Sequence, residues 1–254
     1  MNQQRRDLMA IEQELAARAA QIREQDGQPE SRKISLDRSG NFVAAGGVNL
    51  GSEITICVVD FCSANDYYTA AYDPNTPRPP VCFARARKLA DLAPEPEAPE
   101  PQAENCAICP HNQFGSRGEK AKACKNTRLL AVVLADELAH LAEGEKPEMH
   151  LMSVPPTALR SFDAYALQAA RLFNGPPIKT LVTVRAVPKG NYTTLQFSAP
   201  EANPYYAEVF ELADMAEELL GRLPDLTNYV PTRQSQQRVA RPVPRRYPWS
   251  NPCL

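Results

Sequence analysis

Four cysteines, Cys82, Cys106, Cys109 and Cys124, constrain the fold more than any other feature, because their placement asks distant stretches of backbone to meet. Cys106 and Cys109 form a CxxC knuckle, in which one tight turn offers two sulfurs to a single ion. With Cys82 and Cys124 added, four thiolates describe a closed tetrahedral site. Such a site is structural, since catalysis needs an open position for water or substrate. The expected ion is Zn2+, with an iron–sulfur cluster or plain burial of the thiols as the alternatives. Seven cysteines are an odd number for a disulfide framework, and a reducing compartment would keep them free. Cys57, Cys62 and Cys253 read as ordinary buried or exposed thiols. His111 is the substitute ligand; His140 and His150 lack spaced partners and read as solvated or core histidines.

The quartet sits in an α+β, mainly β chain. Residues 3–24 carry Leu8, Ile11, Leu15, Ala19 and Ile22 at helical steps, giving an N-terminal helical arm over 1–30 that packs on the domain, pairs with a second copy or stays loose. KISLDRSGNFVAAGG, from residue 33, reads as a hairpin, and ITICVVDF (54–61) as a central strand. The segment 89–105 holds four prolines and five acids, which predicts an extended, mobile linker inside the cysteine set. Strands follow at 127–136 and 148–154, then a helix opened by Pro155, Pro156 and Thr157 and running to Phe173. A hairpin over 178–199 turns at Lys189 and Gly190, and a final amphipathic helix spans 205–220.

Three strands, a helix and two strands is the chain order of the five-stranded oligonucleotide-binding (OB) barrel, although other α+β sheets share it. The expected organisation is an OB-like core over 31–200 with a zinc module inserted at about 78–128. A C-terminal helix over 201–230 and a basic, disordered tail over 231–254 complete the chain. That tail holds five arginines and no acid.

No glycine-rich phosphate loop, HExxH, GxSxG or paired HxE and PCxxC signature is present, so the chain reads as a non-enzyme. Around the knuckle, Arg117, Lys120, Lys122, Lys125 and Arg128 face one acid, Glu119, and would attract phosphate. Aromatic rings on which bases could stack are Tyr67, Tyr68, Tyr72, Phe83, Phe114 and Tyr192. Phe83 and Phe114 could equally cover the metal site. No run approaches about 18 consecutive apolar residues and no secretory signal opens the chain, so membrane association is not expected.

The strings NDYYTAAYDPNTPRPPVCFA, CAICPHNQFGS and GEKAKACKNTRLLAVV resemble a family of tailed-bacteriophage proteins with a four-cysteine zinc module. The likeness runs from about residue 33 to residue 200. It implies sequence-independent binding of single-stranded DNA in phage replication or recombination, in the cytoplasm of the infected bacterial host. Replication or recombination proteins would then be partners, with homo-oligomerisation open. The basic tail departs from the acidic tail common in replicative single-strand binders. The rival reading is a phage structural or assembly protein with a structural zinc site.

Overall fold

The computed structural model describes residues 32–70, 73, 76–140 and 147–231, together with Arg18. The N-terminal helix expected over 3–24, the tail from residue 232, Tyr72 and Cys253 lie outside the described residues.

The fold is mixed α+β, built on one large sheet. Its spine is β4 (Glu53–Tyr67), 15 residues rich in β-branched side chains. One flank of β4 pairs along most of its length with β6 (Cys124–Leu134), antiparallel. The other flank is shared: β8 (Thr180–Lys189) takes Glu53–Cys57, and β5 (Cys82–Ala86) takes Ser63–Tyr67. Beyond β6 come β7 (His150–Val154) and then β1 (Lys33–Leu36), joined to β7 in parallel. The short strands β2 (Phe42–Val43) and β3 (Asn49–Gly51) finish that side. β9 (Tyr192–Phe197) and β10 (Glu201–Ala202) both pair with β8.

The middle of the sheet is buried on both faces, since Ile56, Cys57, Val58 and the run Leu130–Val133 have no exposed surface. That explains why Ile56–Val59 is a continuous apolar run without alternation, which begins only after the exposed Thr55. One face packs on α2 (Leu159–Phe173) through Phe162, Tyr165 and Ala169. The other is covered by α1 (Ala135–His140), α3 (Tyr206–Phe210) and α4 (Ala213–Gly221), through Leu138, Val209, Ala216, Leu219 and Leu220. A sheet sandwiched in this way needs two outer layers. A barrel instead turns one face inward and closes its edges.

The OB-like barrel expected from strand order is therefore corrected: the sheet is open, running from β10 to β3 with no closing pair among the described residues. Other expectations hold in outline. The first hairpin turns at Asp37–Asn41, where Asp37 Oδ1 accepts from the Ser39 and Asn41 N–H groups and Gly40 takes φ of 82°. β8 and β9 turn through Gly190 at φ of 65°, a conformation that favours glycine. The helix expected over 205–220 is broken at 211–212, which lets Leu212 reach the core between α3 and α4. Among the described residues no helix is long and apolar enough to cross a membrane.

A second correction concerns residues 89–105. This stretch is not a mobile linker but a strap laid along the outer edge of β5. The Glu95 N–H donates to the Phe83 carbonyl (2.9 Å) and the Glu100 N–H to the Val81 carbonyl (2.7 Å). Leu92, Ala98 and Glu100 are buried. A turn closed by the Ala98 N–H on the Glu95 carbonyl (3.0 Å) joins these two contacts, which use carbonyls on and just before the edge that β5 leaves unpaired.

Candidate metal centre and nucleic-acid interface

β4 places two of the four cysteines, because Tyr67 at its end pairs with Cys82 on one side and Cys124 on the other. Cross-strand partners point to the same face, so both thiols flank Tyr67 on one side of the sheet. The strap then delivers the knuckle: the Cys106 N–H donates to the Leu92 carbonyl (2.9 Å), and Cys106 packs with Ala84, Ala86 and Leu92. Within the knuckle, Asn105 Oδ1 accepts from the Ala107 and Ile108 N–H groups (3.0 and 3.1 Å). Asn112 Nδ2 donates to the Cys106 carbonyl (2.7 Å) and Gln113 Nε2 to the Cys109 carbonyl (3.2 Å). Asn126 on β6 ties the lobe to the sheet, donating to Asn65 Oδ1 (2.7 Å) and Asn112 Oδ1 (2.8 Å).

All four cysteines are buried, and all four line one cavity together with Asn65, Tyr67 and Asn112. That cavity measures about 10 Å³ to a water-sized sphere, room for one small occupant. Burial pushes the Cys82 thiol up to about 11 and the Cys124 thiol up to about 12, and raises Cys106 as well. Uncompensated thiolates are therefore disfavoured there, and a cation would reverse the balance. The donor set suits zinc, but the sulfurs stand apart. Among the described residues the one group of three or more ligand side chains with all donor atoms within 4.8 Å of one another is Glu137, Glu148 and His150. Sulfurs sharing one zinc at about 2.3 Å would lie roughly 3.8 Å apart, so the quartet has to draw inward to bind it. His111 does not join the quartet's cavity; its ring stacks on Tyr67, with centroids 4.2 Å apart.

The structure divides the expected nucleic-acid residues. Arg117, Lys120 and Lys125 are exposed on the cysteine lobe, and Lys122, half-buried, sets its Nζ 5.0 Å from the centroid of Phe114. Phe114 is 77% exposed, more than any other large apolar side chain described. Tyr68 lies just past β4 and is also exposed. Arg128 does not belong with these cations: it is buried and paired with Asp163 of α2 at 3.3 Å. Phe83 is buried against the cavity and offers no stacking face. Tyr67 is engaged by His111. Tyr192 is exposed but sits at the tip of the β8–β9 hairpin, beyond the Glu53 end of β4. The whole strand, roughly 45 Å, separates it from the lobe. A groove joining Tyr192 to the lobe's lysines is not formed within this chain.

Cys57 and Cys62 are core thiols, as expected, with burial pushing them up to about 12 and about 11. Sequence reasoning missed the grouping of His150 with Glu137 and Glu148, for which the only signal was two acids and a histidine spaced around residues 141–146. Neither a scan against protein-family models nor a search of curated proteins finds a match to this chain.

Proposed function

We propose that this protein binds single-stranded DNA without sequence preference, as the resemblance to tailed-phage zinc-module proteins implies, and serves phage replication or recombination. The cysteine lobe is the binding element. Zinc, when bound by Cys82, Cys106, Cys109 and Cys124, supplies the charge that holds the sulfurs as thiolates and cross-links β5, the knuckle and β6.

The single observation that carries this reading is Phe114: a phenyl ring left in water, with Lys122 beside it and Arg117, Lys120 and Lys125 on the same lobe. An exposed ring among cations suits a flexible strand, whose bases stack while its phosphates are neutralised. Duplex DNA keeps its bases stacked on one another and gains only the charge term.

The test is fluorescence anisotropy with a labelled oligonucleotide across a range of salt. If the four cations each meet one phosphate, log affinity should fall with log salt at a slope of about −2.8, roughly 50-fold between 50 and 200 mM. Replacing Lys122 and Lys125 with Ala should flatten the slope by about 1.4. No binding at low salt, or an unchanged slope in the double variant, would count against the lobe and leave the assembly reading in front.

A further inference from the structure

A second ligand set lies at the opposite end of β6 from Cys124, about 30 Å away along the strand. Glu137 comes from α1, which directly follows β6; Glu148 precedes β7; His150 opens β7. One ligand atom from each lies within 4.8 Å of the other two. The His150 side chain is 4% exposed, and among the described residues neither ring nitrogen has a hydrogen-bond partner. A buried imidazole without partners is costly, so its surroundings call for an explanation.

The local geometry supplies one. The Glu148 N–H donates to Glu137 Oε2 at 3.2 Å, which turns Oε1 toward His150 Nε2. Those two atoms are 3.5 Å apart. A charge-assisted hydrogen bond would draw them to about 2.8 Å. Two donors on one zinc ion, each about 2.05 Å away at the tetrahedral angle, stand roughly 3.3 Å apart. At 3.5 Å the pair is longer than a charge-assisted hydrogen bond and close to the separation of two ligands on one cation. Glu148 is exposed, with a carboxylate oxygen within 4.8 Å of the other two ligand atoms.

We propose that Glu137, Glu148 and His150 bind one divalent cation of the zinc class, independently of the cysteine quartet. One imidazole and two carboxylates suit a borderline metal better than a hard one, and three protein ligands leave a position for water. The ion would tie the first turn of α1 to the start of β7. This site does not depend on the DNA-binding proposal.

The test uses the full chain and Zn2+ alone. Native mass spectrometry should find two zinc ions per chain, and Cys106→Ser should leave one. Glu148→Gln, at an exposed position where folding is not at stake, should weaken the second ion at least tenfold while the first stays. During the titration of the second ion, ring ¹H–¹⁵N spectra should shift His150 and leave His140 and His111 in place. A wild-type chain whose zinc is all lost in Cys106→Ser, unchanged affinity in Glu148→Gln, or a stationary His150 ring would each overturn the proposal. If the two acids and the histidine form only an ion pair, the outcome is one of these.

Discussion

Replacing Phe114 with Ala separates binding from folding more cleanly than any other change in the lobe. The ring is 77% exposed, so its removal takes little apolar surface out of the folded core, and thermal stability should move by no more than about 1 kcal/mol. Its one described partner, Lys122 Nζ at 5.0 Å from the centroid, lies on the surface, where a cation–π contact is worth roughly 0.5–1 kcal/mol at most. The effect on DNA is of a different order. A base stacked on an aromatic ring contributes about 1–3 kcal/mol, so affinity for a single strand should fall roughly 5- to 150-fold. The salt slope should stay where it was, because no cation is lost. Anisotropy titrations at two salt concentrations, alongside thermal unfolding, read both quantities. An affinity within twofold of the wild type, with unfolding unchanged, would refute the role given to this ring.

Other consequences are as direct. Tyr165 Oη lies 2.9 Å from Thr180 Oγ1, which itself donates to the Pro177 carbonyl, so the tyrosine is the donor of the pair. Tyr165→Phe should cost about 0.5–1.5 kcal/mol in denaturant unfolding, and no loss would mean the bond is not made. Removing metal with a chelator should speed amide exchange around Cys106–Asn112 and at the Cys124 end of β6 while sparing Leu130–Val133; uniform exchange would contradict a local clamp. A glutamate-specific protease should cut slowly between Glu97 and Ala98, where Ala98 is buried and its N–H bonds to the Glu95 carbonyl, and rapid cleavage there would restore the mobile linker.

The strands and α2 were legible because β-branched runs and three- to four-residue periodicity reflect burial directly. The open architecture was not. Ile56–Val59 announces burial on both faces, but what covers them depends on contacts between residues far apart in sequence, such as Cys57 with Ile178 and Asn203. Composition misled at 89–105. Proline and glutamate suggest disorder in isolation, yet the unpaired edge of β5 gives the strap's N–H groups acceptors that no local pattern reveals. At the site, the shared cavity of the four cysteines followed from spacing, since Cys82 and Cys124 had only to fall in register with one residue, Tyr67. Arg128 could not be told from its basic neighbours, because its partner Asp163 arrives on a helix from a later part of the chain.

Ultraviolet cross-linking of bound single-stranded DNA, followed by peptide mapping, tests the central claim most directly. Cross-links should fall between His111 and Lys125, with Phe114 foremost, and should weaken as salt rises. A complex whose cross-links lie only near Tyr192, at the far end of the sheet, would contradict the assignment, as would the absence of any complex at low salt.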